Sequence, residues 1–402
     1  MKTKISSMFA ALACALAPIS FAAGGTAAGV PDWGLGPFTR PADAQPIIKP
    51  DTNSIFNCPM RKAPVHWEAT HTFNPAAIVK DGKVYILYRA EDNIGSGIGG
   101  FTSRLGLAVS EDGIHFKKMP APVLFPAEDA QKEHEWEGGC EDPRIVETED
   151  GTYVLLYTQY QRMNAPKKED GFKVLLGVAT SKDLIHWTKL GAILKGWPGY
   201  ARKSASFVCK VVGDRLIAAR IKGRYWLYYG EGQIRLASSE DLVNWEIAPG
   251  SPPEQLDEKA ALLRGDPKNT DKNILLARRE GKFDAMFPEA GPPALLTEKG
   301  IVFLYNGKNG KALGDLGVGA GAYTGGQALF SADDPRKLLD RTDVPFIKPE
   351  LSWEKTGQYS AGTTFIEGLI LFKNQWFLYY GCADTFVGVA NAPTLPWQLH
   401  VK

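Results

Sequence analysis

"GKVYILYRAED" (Gly82–Asp92), followed by "LGLAVSEDGIHF" (Leu105–Phe116), decides the fold. The first segment sets β-branched and aromatic residues between a glycine and an acidic end, the composition of a strand. The second runs from an apolar strand into Ser-x-Asp, a turn former, and closes on an aromatic. Both segments return along the chain. The strand recurs as "GTYVLLYTQY", "RYWLYYGEG", "GIVFLYNGKN" and "NQWFLYYGCAD", which places Tyr88, Tyr157, Tyr228, Tyr305 and Tyr379 roughly 70 residues apart. The turn recurs as "LGVATSKDLIHW", "IRLASSEDLVNW" and a drifted "GQALFSADDPRKL". Short strands without helical periodicity, repeated at that interval, predict an all-β fold, a five-bladed β-propeller. A β-sandwich with chance turns is the competing reading, but sandwiches do not repeat in this way.

Outward from the repeats, Lys2 and Lys4 precede the apolar run "MFAALACALAPISFAA". That is the pattern of a secretory signal peptide, so residues 1–22 are expected to be cleaved near Ala22 or Ala23, giving a periplasmic or secreted protein. Lipid anchoring at Cys14 is the weaker alternative, because "ALA" is a poor lipobox and the apolar run continues past it. Residues 23–61 read as an irregular, Pro-rich leader and residues 62–402 as the propeller. A charged insertion, "SPPEQLDEKAALLRGDPKNTDKN", separates the third and fourth repeats.

The 402 residues are 44% hydrophobic and 23% charged, ordinary for a globular chain with a large core. The formal charge of +1 becomes −1 without Lys2 and Lys4. No basic excess remains to attract nucleic acid or an acidic membrane surface, and no other run is long and apolar enough to span a bilayer. Cys58, Cys140, Cys209 and Cys382 are scattered and are expected to be buried free thiols. There is no CxxC or HExxH spacing and the six histidines are dispersed, so neither a metal site nor a cofactor is expected.

"EWEGGCEDPRIV" (Glu135–Val146) is the densest acidic stretch. Glu135 and Glu137 read as solvated loop residues. Glu141 and Asp142 stand instead at a strand entrance, where a carboxylate pair suits acid/base work. Gly138 and Gly139 are expected to let the backbone approach a funnel without side-chain bulk. In a propeller, the polar ends of "YRAED", "GCEDPR", "YYGEG" and "YGCAD" would converge on that funnel.

Taken in order, "FNPAAI", "YILYRAED", "SRLGLAVSEDGIHF", "GGCEDPRI", "EAGPPALLTEKGIVFLYNG" and "YYGCADTFVGVA" resemble the mannoside phosphorylases and mannosidases of glycoside hydrolase family 130, which are five-bladed propellers. The resemblance implies that Asn74 and Arg89 hold a mannose at the −1 subsite, that Asp384 is a further sugar-binding carboxylate, and that Asp142 donates the proton. It also brings departures. Phosphorylases of this family carry a lysine before "GAGPPP" and a histidine in "YHG". This chain has Phe287 and Asn306 there, and Glu289 in place of a glycine. A carboxylate beside a phosphate dianion repels it, by roughly 4 kcal/mol per unit-charge pair at about 4 Å and an effective dielectric of about 20. Arg202 (or Lys203) and Arg220 resemble the remaining phosphate contacts.

These readings predict an exported inverting β-mannosidase, of β-1,2 type by resemblance. Asp142, Glu231 and Glu289 are its catalytic candidates. Asn74, Arg89, Asp384, Asn306, Arg202 and Arg220 are its substrate-binding candidates. Glu289 is the candidate for activating water, with Glu231 or Asp142 as proton donor. The only partner expected is a β-mannoside glycan, with the oligomeric state left open. Two alternatives stand beside this one: a phosphorylase using inorganic phosphate, and a non-catalytic glycan-binding propeller.

Overall fold

The Ser-x-Asp segments build the same turn each time. Ser110 Oγ accepts the amides of Asp112 and Gly113 at 3.2 and 2.9 Å, and Asp112 Oδ1 accepts those of Ile114 and His115 at 2.9 and 2.8 Å. Ser181 with Asp183, and Ser239 with Asp241, repeat the pattern. In "FSADDPRKL" the acceptor has moved on by one residue, to Asp334, whose Oδ1 takes the Arg336 amide at 3.2 Å. The recurring tyrosines are core residues. Tyr88, Tyr157, Tyr228, Tyr305 and Tyr379 are all fully buried. Each hydroxyl finds an acceptor, as a buried phenol must: Glu68, Glu135, the Pro335 carbonyl, Asp284 and the Gly113 carbonyl in turn.

The computed structural model describes residues 30–163, 171–194, 203–248 and 274–400. The expected signal peptide with Cys14, Arg202 and the charged insertion lie outside the described residues. Within them the chain is nearly all β. The one α-helix among the described residues is the single turn Lys132–Glu135, and no helix there is long and apolar enough to cross a membrane.

The strands form consecutive antiparallel groups. His71–Lys80, Lys83–Glu91 and Ser103–Ser110 make one group, and Gly139–Glu147, Tyr153–Arg162, Phe172–Ser181 and Thr188–Ala192 the next. Ala205–Val212, Arg224–Tyr229, Ile234–Ser239 and Trp245–Ile247 follow. Phe287–Ala290 and Ala294–Thr297 both pair with Gly300–Lys308, which pairs with Tyr323–Phe330. Thr364–Phe372, Gln375–Cys382 and Phe386–Pro393 complete the series. The leading strands of most successive groups pack side by side, and Thr364–Phe372 meets the fourth group through Gly300–Lys308 and Tyr323–Phe330. Short parallel pairings tie some of them together, such as Val208 with Ala294.

The leader is tied to the last strand. Thr39 and Asn391 exchange backbone hydrogen bonds at 2.8 Å, and Ile47 N donates to the Val387 carbonyl at 2.8 Å. Arg40 anchors it further through Glu354 at 2.6 Å. Cys58, Cys140, Cys209 and Cys382 are buried and unpaired.

Candidate active site

Three leading strands carry a bulge at the residue that points inward. The His71–Lys80 strand breaks register between Phe73 and Pro75, the Gly139–Glu147 strand between Glu141 and Arg144, and the Thr364–Phe372 strand between Ile366 and Gly368. The residues at these breaks are Asn74, Asp142 and Glu367. Asn74 and Asp142 adopt φ of 45° and 46°. Asn and Asp tolerate that left-handed region better than most side chains, and a bulge re-aims the residue it carries. Ser204, just before its own leading strand, has φ of 61°.

Two carboxylate clusters result, each organised on one cation. Arg89 is the first centre. Its guanidinium lies 2.7 Å from Glu91, 2.8 Å from Glu141 and 3.3 Å from Asp142, and it covers the Phe73 ring at 4.6 Å. Asn74 Nδ2 donates to Asp142 Oδ1 at 2.8 Å. Lys203 is the second centre, 3.5 Å from Glu231 and 3.7 Å from Glu289. Glu231 and Glu289 face each other as an antiparallel backbone bridge, which sets both carboxylates on one side. Ser204 Oγ donates to Glu289 Oε1 at 2.5 Å, while Glu289 Oε2 is buried with no partner in the protein.

Burial and charge then separate these acids. Burial pushes Glu141 up to about 7, with Arg89 opposing and Asp142 and Glu91 reinforcing. Burial likewise carries Asp384 to about 7, against the pull of Arg89. Glu289 also reaches about 7, by burial first, with Lys203 opposing and Glu231 reinforcing. Asp142 goes the other way. Burial would raise it, but Arg89, Lys203, the Asn74 hydrogen bond and Arg144 together hold it below the usual carboxylate range. The pocket therefore presents one firmly ionised carboxylate among several that exchange protons near neutral pH.

Several expectations need correction. Arg220 is exposed at the far end of the Arg224–Tyr229 strand from Glu231. Its guanidinium donates to the Gly223 and Glu240 carbonyls and covers Tyr225, so it takes no part in the pocket. Asn306 pairs in register with Glu289, but its amide is spent on the Ile366 backbone, donating at 3.0 Å and accepting at 2.7 Å. It braces the bulge at Glu367 and does not reach for substrate. Glu135 is no solvated residue. It is fully buried, accepts from the Tyr157 hydroxyl at 2.7 Å and pairs with Lys189 at 2.5 Å. Glu137 stays partly exposed, paired with Arg61 at 3.1 Å. Gly138 and Gly139 serve close packing: a Cβ on Gly138 would sit 1.7 Å from Tyr160 Cδ1, and one on Gly139 would sit 2.1 Å from the Ser103 carbonyl oxygen.

Asp384 has φ of 51°, and its carboxyl carries no hydrogen bond or ion pair among the described residues. Arg144 is fully buried, donates to the carbonyls of Asp142, Pro143, Ala290 and Gly291, and forms an ion pair with Glu367. The sequence reading missed Ser204 and Glu367. Glu367 had a signal: it is a lone acid inside the otherwise apolar strand "TFIEGLILF".

Carboxylates, an amide and guanidinium groups converging from strands distant in sequence define a hydroxyl-recognising, acid/base-competent site, that of a carbohydrate-active enzyme on an all-β scaffold. The model of glycoside hydrolase family 130, described as β-1,4-mannooligosaccharide phosphorylase, matches residues 38–395, and the chain belongs to that family. Enzymes of this family act on β-mannosides. A 1,2-β-oligomannan phosphorylase of Thermoanaerobacter sp. (strain X514) is 34% identical over 334 residues, 82% of this chain and 93% of that enzyme. A putative glycosidase from Bacteroides thetaiotaomicron, solved as a crystal structure, is 49% identical with a TM-score of 0.82, covering 91% of this chain and 99% of that one. A further solved structure is 45% identical, with a TM-score of 0.81 and coverage of 92% and 99%. It comes from work on glycoside hydrolases within the GH130 mannoside phosphorylases that target β-1,2 mannosidic linkages in Candida mannan.

Proposed function

We propose that this chain is an exported β-mannosidase on a five-bladed propeller, cleaving β-1,2-linked mannosides with water and with inversion. The consecutive antiparallel groups support the blade count, and the basic-then-apolar start at Lys2 and Lys4 supports export. The observation that carries the reaction type is Glu289: fully buried, steadied by Ser204, sharing Lys203 with Glu231, and with one oxygen unpartnered. A carboxylate titrating near 7 is matched to general-base work at neutral pH. In this reading Glu289 takes a proton from water, and the water oxygen attacks the anomeric carbon from the face opposite the leaving sugar. The glycosidic bond breaks, and the departing oxygen receives a proton from Asp142 or Glu231. Asp142 is already buried and is held ionised in the free enzyme, so to act as donor it must first take a proton from a neighbouring acid such as Glu141, which shares Arg89 with it and is raised to about 7. An inverting pair needs roughly 6.5–9.5 Å between carboxyl groups, room for the water and the sugar.

Phosphorolysis is the second reading. The names of the curated relatives favour it, since they are phosphorylases acting on β-1,2-linked or β-1,4-linked mannosides. Lys203 is a cation that a phosphate could use. Against it stands Glu289, which would repel the dianion from within the pocket. A panel of β-linked mannobioses, incubated with and without phosphate, tests the choice. Mannose released at an undiminished rate without phosphate supports hydrolysis. Mannose 1-phosphate as main product would establish the phosphorylase instead.

A further inference from the structure

Behind Asp142 and Glu289 the protein buries the guanidinium of Arg144, a residue with 1% of its surface exposed. Nε donates to the Gly291 carbonyl and Nη2 to that of Ala290, both at 3.2 Å and just past Glu289 on its chain. Nη1 donates to the carbonyls of Asp142 and Pro143, both at 3.3 Å. One planar fork therefore grips the backbone of both catalytic carboxylates, on strands distant in sequence. Because its donors stand in rigid geometry, the two segments cannot shift apart without stranding polar groups in a buried site. Burial lowers Arg144 to about 10, against the pull of Asp142 and Glu289, so the fork stays charged at neutral pH.

Glu367 holds the fork from behind. It is fully buried, stands at the register break between Ile366 and Gly368, and forms an ion pair with Arg144. The same break is clamped from the Glu289 side. Asn306, in register with Glu289, donates to the Ile366 carbonyl at 3.0 Å and accepts its amide at 2.7 Å. Arg144 and Asn306 thus cross-link the backbone around Asp142, Glu289 and Glu367. Well-packed apolar residues often match or better a buried ion pair for stability, so fixed geometry is what the pair adds. Inverting hydrolysis needs such geometry, since misplacement of about 1 Å can cost about a hundredfold in rate.

We infer that Arg144, held by Glu367, is a positioning residue that sets the separation of Asp142 and Glu289 through the backbone carbonyls of their strands. The assignment rests on the reading that these two carboxylates flank the scissile bond, whichever nucleophile attacks.

Arg144→Lys tests it. The lysine keeps a charge for Glu367, but its compact ammonium cannot grip both strands at once. With β-1,2-mannobiose, kcat should fall by about ten- to a hundredfold and KM should stay within about threefold. A residue serving stability alone would lower Tm and leave kcat of the folded enzyme unchanged. That result overturns the assignment, as does a loss carried by KM. Combination with Glu289→Gln then shows whether Arg144 acts through the catalytic carboxylate. The double variant should lose at least about threefold less than the product of the two single losses, and losses that multiply in full overturn the assignment. Should Arg144→Lys fail to fold, Glu367→Gln enters the same cycle, because it keeps an acceptor for Arg144 while removing the charge. Its kcat should fall by about three- to tenfold, and an unchanged kcat overturns the assignment. Full activity of Glu289→Gln overturns the hydrolytic reading instead, and a cycle with Asp142→Asn then judges Arg144 by the same two results.

Discussion

Replacing Glu289 by glutamine should stabilise the protein at alkaline pH while disabling it. Glu289 is fully buried, and burial lifts its carboxyl from 4.5 to about 7 against the opposing charge of Lys203. The folded state thus holds this proton more tightly than the unfolded chain does. Below about pH 4.5 both states are protonated and the group costs nothing. Between about 4.5 and 7 the unfolded chain releases its proton first, so stability falls as pH rises, and above 7 the full cost remains. At about 1.36 kcal/mol per unit, that cost is about 3 kcal/mol. The neutral amide of Glu289→Gln carries no charge and escapes it. For a chain of this size, at roughly 2.1 cal/mol/K per residue, the gain corresponds to about 4 °C in Tm. Thermal melts of the wild type and Glu289→Gln at pH 4.5 and pH 8 provide the assay. The expected result is equal Tm at the lower pH and a higher Tm for the variant at pH 8. Turnover should drop by at least about two orders of magnitude, the scale of a lost general base. A variant less stable at pH 8, or a difference that does not depend on pH, would refute the reasoning.

Other consequences can be checked with simple measurements. kcat/KM should fall about tenfold per pH unit below pH 7, as Glu289 takes up its proton; a flat profile down to pH 5 would exclude it as base. Arg144→Met should cost about 3–5 kcal/mol in a denaturant titration, because it strands the Glu367 carboxylate in a fully buried site. Gly138→Ala should lower Tm by several degrees. The added Cβ meets the Tyr160 backbone oxygen at 2.5 Å as well as its ring, so no rotamer change relieves it.

What could be read in the sequence was whatever depends on local pattern. The buried tyrosines and the Ser-x-Asp turns have fixed spacing because each repeat solves the same packing and hydrogen-bonding problem. Asn74 entered only through the family resemblance and Asp142 through its place at a strand entrance as well, and each proved to stand at a register break. What the pattern could not supply was the partner. Glu135 looks solvated until Lys189 and Tyr157 arrive from other strands to bury it. Arg220 lies at the far end of its sheet from Glu231, and spacing does not encode that. Asn306 faces Glu289 in register, yet the Ile366 backbone claims its amide. Nor does the pattern show burial, which is the first cause that raises Glu141, Glu289 and Asp384. Asp142, the expected donor, is held ionised by Arg89, Lys203, Asn74 and Arg144.

Proton NMR of the first product, formed from β-1,2-mannobiose in phosphate-free buffer, tests the central claim most directly. Attack by Glu289-activated water on the face opposite the leaving sugar predicts α-mannose as the initial anomer, appearing before mutarotation and at a rate indifferent to added phosphate. Initial β-mannose would contradict the inverting geometry, and no product until phosphate is added would contradict hydrolysis itself.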